Sequence, residues 1–563
     1  MGTISDKLMR IINTKEDIRQ ALISKGYDVP TSIPFKEYAK MISDLPCRVD
    51  SFPDIEGIVA RYSALGLTNE QMATNPVWVD KTGNGYDLQL KNFSWKGMSG
   101  VGGYGDENHQ TFYKFTLDDY VFIATPPGVK HMNFTFRVTG LQPGNKLTLT
   151  FFGTTNTVYG TWNKDGIYTV DADIVEAGKP TYFYNGYGAT RGEFTIEILP
   201  LYPGALVFDG VDDYGVCENF PILTKEKGYT VVALRQWIEE KNDSTALVSN
   251  CKNWNQDGAF LFEYNNLRIN FLNVAIFFGH VSSVDRGKSP FSYQTSKLYN
   301  GKNIKPGSFI GSNELVVGKG NKDFPTVSNA AIWEIVILDH DATEEELTKI
   351  KDYFVKTYPW LFPDQAWTVV GKTNEDEDRA TIANITGNGN DLILSNFGFI
   401  EGSGYNEEGE YAGYLVTDGV DDKIISSIFK MGNDWTVIGD WELINTGKND
   451  NAGIVKFDSI VIYNYNYNYN SMLINIKNGR NILIPDQNTV NAICSDGRIY
   501  SKDWKESIYN EETESTSKNF LTIGYSGNAY TKIAFKNLAI YPTVLSREDC
   551  IKAYNYLQTL KAK

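Results

Sequence analysis

The chain has 563 residues, 42% of them apolar and 22% charged, with a formal net charge of −16. At roughly 100–200 residues per domain, this length predicts three to five domains, and the apolar share excludes wholesale disorder. The acidic balance argues against nucleic acid or an anionic membrane as partner, because phosphate binding needs clustered Lys and Arg. Aromatic residues make up 13% and glycines number 50, the composition of β-rich domains joined by tight turns.

The five cysteines, Cys47, Cys217, Cys251, Cys494 and Cys550, are widely spaced and form no CxxC pair. Neither a disulfide framework nor a cysteine zinc site is expected from them. No apolar run approaches about 18 residues, so no membrane insertion is expected. The first twenty residues interleave charged and apolar side chains and lack a signal-peptide core. The expectation is a chain made in a reducing cytoplasm and not exported by a classical signal.

Residues 1–50 read as a helical segment. Thr14 and Asp17 resemble a capping box, Ile18 and Leu22 begin an apolar face, and Gly26 suits the left-handed position that ends a helix. Beyond Pro34, the residues Phe35, Tyr38 and Ile42 form a second apolar stripe. Two short helices bury little by themselves. Ile18, Leu22, Phe35, Tyr38 and Ile42 are therefore candidate assembly residues, either for oligomerisation or for a small capping subdomain.

From residue 51 the main signal is an internal repeat. TGNGYDLQLKNF (82–93) matches TGNGNDLILSNF (386–397) at 9 of 12 positions. FDGVDDY (208–214) then matches TDGVDDK (417–423), and the strand-like run from Ala331 matches that from Ala534. Three matches in the same order make two copies of one module. From Thr82 to Asp209 is 127 residues, whereas from Thr386 to Asp418 is 32, so the first copy holds about 95 extra residues. These fall in 104–203 and read as short strands separated by PGN, NKDG and NGYG turns. They predict a small β-sandwich inserted in a loop, where chain ends lie close together. Each module closes with a strand, a Thr343 or Ser546 cap and a short helix carrying acidic residues in its first turn.

TGNG(Y/N)DL, FDGVDDY and the late strand with its capped helix resemble the concanavalin-A-like lectin/glucanase superfamily, in its laminin-G-like branch. The resemblance implies a mainly β protein. It would hold two concanavalin-A-like jelly-roll sandwiches, the first carrying the inserted sandwich, behind the N-terminal helical region. The expected domains are 1–50, 51–103 with 204–362, 104–203 as the insert, and 363–563. Some members bind calcium, which makes Asp209, Asp212 and Asp213 candidate ligands. Their residues by themselves read chiefly as turn chemistry, so no cofactor is otherwise expected. The segment KLMRIINTKEDIRQALISKGYDVPTSIPFKEYAKMI is similar to one near the start of some bacteriophage tail and virion proteins. That resemblance implies an anchor to a phage particle.

Laminarinase-like glucanases carry E-x-D-x-x-E on one strand, so that acid and nucleophile share a face. The pattern is absent, and EDED at 375–378 lies beside a turn. His109, His131, His280 and His340 are isolated in sequence, which offers no metal or triad spacing. No catalytic residue is therefore expected. The remaining chemistry is sugar stacking on aromatic rings. Candidates are Tyr463, Tyr465, Tyr467 and Tyr469 in VIYNYNYNYN, Trp162, Tyr182, Tyr184 and Tyr187 in the insert, and Trp254 and Trp504 in polar loops. Each of these rings is equally open to a role in core or subunit packing. Trp333 and Trp435 lie in apolar strands and are expected in the core.

The function expected is that of a phage virion structural protein, a tail or head fibre or related appendage at the particle surface. Its partners would be other virion proteins, further copies of itself as a trimer, and host-surface glycans. The alternatives are a polysaccharide-degrading enzyme and a purely architectural decoration protein.

Overall fold

The computed structural model describes residue 15 and, with breaks, residues 52–562. The breaks of five residues or more are 105–111, 124–130, 152–156, 174–180, 186–193, 240–244, 252–257, 264–288, 304–311, 445–452, 466–470, 485–489 and 509–520. The assembly candidates Ile18, Leu22, Phe35, Tyr38 and Ile42 lie outside the described residues.

The protein is mainly β, built from antiparallel sheets stacked as sandwiches. In the first module, an eight-stranded sheet is centred on Thr230–Glu239 and Asn329–Leu338. A six-stranded sheet, running from Gly258–Phe262 to Val77–Trp78, faces it. Trp78, Leu88, Phe208, Val231, Phe260, Val317 and Ile335 fill the space between them. The second module repeats the plan with two eight-stranded sheets, one centred on Thr436–Leu443 and Ile533–Tyr541. Its core is built on Trp367, Leu392, Ile424, Trp441, Ile493, Ile523 and Phe535.

Between the two halves of the first module, residues 112–199 form two four-stranded sheets. One has the order Gly166–Asp173, His131–Thr139, Phe194–Leu199, Phe112–Phe115; the other has Tyr120–Ile123, Thr181–Asn185, Leu147–Phe151, Thr157–Trp162.

The helices explain why the central strands read as unbroken apolar runs. Glu344–Thr357 carries Leu347, Ile350 and Phe354 on one face. Its N-terminus is closed by a capping box, in which Thr343 Oγ1 accepts from Glu346 N and the Glu346 carboxylate accepts from Thr343 N. Arg547–Gln558 is capped by Ser546 and buries Ile551, Tyr554 and Leu557. Both helices lie on outer sheet faces, so Asn329–Leu338 is buried on both sides: Ile335 and Ile337 point inward, while Trp333, Val336 and Leu338 meet the helical layer. That layer is one apolar cluster shared by both modules, and it takes in Ile167 and Leu199 of the insert. Trp333 at 0% exposure and Trp435 at 4% are core residues.

Candidate functional site

The repeated motifs converge on one corner of each sandwich. In the first module, Leu88–Lys91 runs into Asn92, whose φ of +68° turns the chain sharply. Phe93 follows, then Trp95 at φ +56°, a left-handed conformation that is unusual for an aromatic residue. A two-way backbone bridge between Lys96 and Ser99 closes the loop. Gly100, at φ +138°, completes it, since a Cβ there would meet Asn69 Oδ1 at 2.5 Å. Asn69 in turn clamps Val101, accepting from its N–H and donating to its carbonyl.

The DGVDD turn is locked against this loop. Asp213 accepts from Asp209 N through Oδ2 and from Ser99 Oγ through Oδ1, at 3.1 and 3.0 Å. Asp209 Oδ1 accepts from Val211 N, and Asn92 Nδ2 donates to the Asp212 carbonyl. The turn tip leaves Val211 exposed. Burial, with the neighbouring Asp209 charge second, pushes the Asp213 carboxyl up to about 8.

The second module repeats most of these contacts, but among the described residues Asp422 Oδ1 has no hydrogen-bond partner where Asp213 Oδ1 accepts from Ser99. Asn396 at φ +69° donates to the Asp421 carbonyl, Phe399 sits at φ +52°, and Ser403 Oγ accepts from Gly398 N. Asp422 accepts from Asp418 N, and Asn374 clamps Tyr405 as Asn69 clamps Val101. Burial pushes Asp422 up to about 6.

What surrounds the turn differs between the copies. In the first, Phe93 and Trp95 are half-buried and stacked at 4.8 Å and 16°, with Phe208 edge-on to Phe93. Lys319 Nζ stands 4.3 Å from the centre of the Tyr214 ring, and burial lowers its pKa. In the second, Phe397 and Phe399 are tilted at 6.0 Å and Arg379 lies over Phe399 at 5.0 Å. Sheet register places Lys423 where the first copy has Tyr214, and Tyr525 where it has Lys319. Phe93 and Trp95 pack on the first module's core and are half-buried; the exposed part of such a stacked pair has the chemistry to pack on a sugar ring.

The acidic triads Asp209, Asp212, Asp213 and Asp418, Asp421, Asp422 each bring carboxylate oxygens within 4.8 Å of one another. Calcium takes roughly six to eight oxygens. The first triad offers three residues, and both Asp213 oxygens already accept hydrogen bonds. As arranged, the Asp209 and Asp213 carboxylates lock the turn by accepting from Val211 N and Asp209 N.

The sugar-stacking candidates fare differently. Trp504 is 1% exposed and packs on Tyr500 and Tyr554, with Arg547 Nε donating to its carbonyl. It is a core residue, which corrects the loop-tip expectation; its polar sequence neighbours frame a chain that dips inward. Trp162 is half-buried, its ring packed against Phe136, Tyr168 and Phe183 at the margin of the insert's core. The rest of the ring stays exposed, as in Trp95. Tyr182 and Tyr184 lie on Thr181–Asn185, paired with Tyr120–Ile123 and Leu147–Phe151. Tyr463 and Tyr465 lie on Ile460–Tyr465, opposite Leu473 and Ser471. For these four only the backbone is described; Tyr187, Trp254, Tyr467 and Tyr469 lie outside the described residues. Sequence reasoning missed Phe93 and Trp95, although Phe93 sits inside the strongest repeat. The repeated aromatic at Trp95 and Phe399 was the available signal.

The fold and this corner together define a β-sandwich protein with a duplicated jelly-roll module. No protein-family model matches the sequence, and no curated protein matches it. Among solved structures, the chain is similar to the Trypanosoma rangeli sialidase in complex with sialic acid, at 9% identity and a TM-score of 0.23, over 41% of each chain. It is also similar to the binding domain of Paraclostridial Mosquitocidal Protein 1, at 13% identity and a TM-score of 0.22, over 34% of this chain and 51% of that one. A third is the Botulinum Neurotoxin Type G receptor binding domain, at 14% identity and a TM-score of 0.21, over 34% and 50%. The chain thus spans about two fifths to one half of the structures it matches. At these TM-scores none of them bears on what the chain does.

Proposed function

We propose that the chain is a bacteriophage virion structural protein, part of a tail or head fibre or a related appendage, that touches host-surface glycans without cleaving them. The glycan-binding part is carried by one observation: the half-buried, stacked Phe93–Trp95 pair that follows Asn92, whose side chain bonds the DGVDD turn at the Asp212 carbonyl. An aromatic surface rimmed by hydrogen-bonding groups suits a pyranose, and its reappearance in a second module suits many weak contacts made at once. The virion part rests on the resemblance of the N-terminal segment. In this reading that segment anchors the chain and gathers it into a trimer, which multiplies the contacts further.

The test uses the full chain on an array of bacterial surface polysaccharides. Binding is expected, falling at least tenfold in W95A and further when F399A is added. Absence of binding to any surface glycan, or undiminished binding in the double variant, would overturn the glycan reading. Mass spectrometry of purified phage particles tests the virion reading separately; absence of the polypeptide from them would overturn it.

A purely architectural role is the second reading. The observation in its favour is that Trp504, in a polar turn context, is buried in the core.

A further inference from the structure

Gly100–Val101 is the last strand of the first module's eight-stranded sheet and pairs with Leu206–Asp209 on one side. Its other side is met by Asn69. Asn69 Oδ1 accepts from Val101 N at 2.7 Å, and Asn69 Nδ2 donates to the Val101 carbonyl at 3.2 Å. Asparagine carries a donor and an acceptor on one short side chain, so this amide pairs both backbone groups as a further strand would. Gly100 lies between the amide and Trp95: a Cβ there would stand 2.5 Å from Asn69 Oδ1 and 3.1 Å from Trp95 Cα. The left-handed Trp95 therefore rests on a bare glycine that the clamp holds in place. A left-handed backbone at a bulky residue lasts only where its surroundings over-determine it. Here the clamp, the glycine floor and the Lys96–Ser99 bridge do so.

The second module carries the same device at Gly404–Tyr405, the end strand of its own sheet. Asn374 Oδ1 accepts from Tyr405 N at 2.8 Å, and Asn374 Nδ2 donates to the Tyr405 carbonyl at 2.7 Å. A Cβ on Gly404 would meet Asn374 Oδ1 at 2.5 Å and Phe399 Cα at 2.8 Å. The settings of the two asparagines differ. Asn69 opens the helix Asn69–Thr74 behind the Thr68 cap, whereas residues 373–379 turn without forming a helix. The clamp is thus independent of the helix, and in both copies it ends under a left-handed aromatic residue.

We propose that Asn69 is a positioning residue for the aromatic corner: through Val101 and Gly100 it holds Trp95 in its stack on Phe93, and Asn374 does the same for Phe399. The consequence for binding rests on the glycan reading, because a saccharide ring packs on Trp95 only where that ring is held. Asn69 acts through Trp95 and makes no bond to the saccharide. Loss of the amide frees the end strand, lets the glycine floor shift and returns Trp95 to ordinary backbone, which unstacks it from Phe93.

The test makes N69A in the full chain, with the isosteric N69D, which keeps the acceptor and loses the donor. Trp95 is read by acrylamide quenching, as the difference between each chain and its W95F counterpart, and the Val101 N–H by hydrogen exchange. Both should rise at least about threefold in N69A. On the array of bacterial surface polysaccharides, N69A should lose at least about fivefold in binding. N69A/W95A should bind within about twofold of W95A, because two residues that act through one ring are not additive. T68A removes the side chain that caps the helix at Gln71 N and keeps the clamp; it should bind as the wild type does. Unchanged Trp95 quenching in N69A, the full N69A loss on the W95A background, or a loss in T68A equal to that in N69A would overturn the proposal. If the wild type binds no polysaccharide, the glycan reading falls by itself, and quenching and exchange still decide whether Asn69 places Trp95. Should N69A not fold, N69D decides, together with the same binding cycle of N374A and F399A in the second module.

Discussion

Arg235 and Glu263 form an ion pair inside the first sandwich, at 2% and 0% side-chain exposure. Arg235 Nε donates to Glu263 Oε2 at 2.8 Å, and its Nη2 donates to Oε1. Trp237 Nε1, Ser292 Oγ and Tyr299 OH complete the carboxylate's partners. Arg235 follows a bulge in its strand, as Trp441 does in the second module, and Trp441 fills that place as a buried ring. A second pair, Arg61 with Glu334, also belongs to the first module and is satisfied by Ser63, Tyr353 and Tyr358.

Removing one partner of such a pair strands a buried charge. R235M should therefore destabilise the first module by about 3–5 kcal/mol, whereas replacing Arg235 and Glu263 together by apolar residues should cost less. Denaturant unfolding of the single and double variants measures the difference. Equal losses would mean that the pair's energy lies in packing.

The stability of the Asp213 turn should fall as pH rises. Its carboxyl titrates near 8 in the folded chain against an ordinary value of 3.8. Between those values the folded chain holds a proton that the unfolded chain has released, so the contribution is full below about pH 4 and is lost by about pH 8. D213N keeps an acceptor for Asp209 N and cannot ionise. Its melting temperature should therefore vary less with pH over that window than the wild type's. A calcium titration at pH 8 belongs in the same series. A rise in wild-type melting temperature that D213N lacks would assign the triad a cation.

The helical layer should make the two modules unfold together. Trp333 of the first meets Tyr556 of the second at 6.4 Å, and Thr559 hydrogen-bonds with Gln236. Truncating a buried aromatic costs about 3–5 kcal/mol. Y556A should lower the melting temperature and split a single calorimetric transition into two. A single transition in Y556A would place the coupling elsewhere.

The capping box of Glu344–Thr357 should be worth about 1 kcal/mol, so T343A should destabilise by that amount. S546A should cost the same in the second module, where Ser546 Oγ accepts from Asp549 N. Urea midpoints of the two variants give both values.

The duplication, the turns and the closing helices were legible in the sequence because their chemistry is local. In TGNG, Asp80 or Asn384 accepts from the following Thr N–H, and the Thr hydroxyl accepts from Asn84 N or Asn388 N; all partners lie within four residues. In DGVDD the same holds for Asp209 with Asp213 and for Asp418 with Asp422. Side-chain exposure and long-range pairing were decided only by the tertiary structure. Trp504 stands among polar neighbours in sequence, yet faces inward, because exposure belongs to the packed sheets and not to a residue's flanks. Phe93 meets Phe208 edge-on only because the chain, after a whole inserted sandwich, returns beside it. Arg61 and Glu334 lie 273 positions apart. Periodicity and turn chemistry act over a few residues, whereas such a pair exists only when two distant strands share a register.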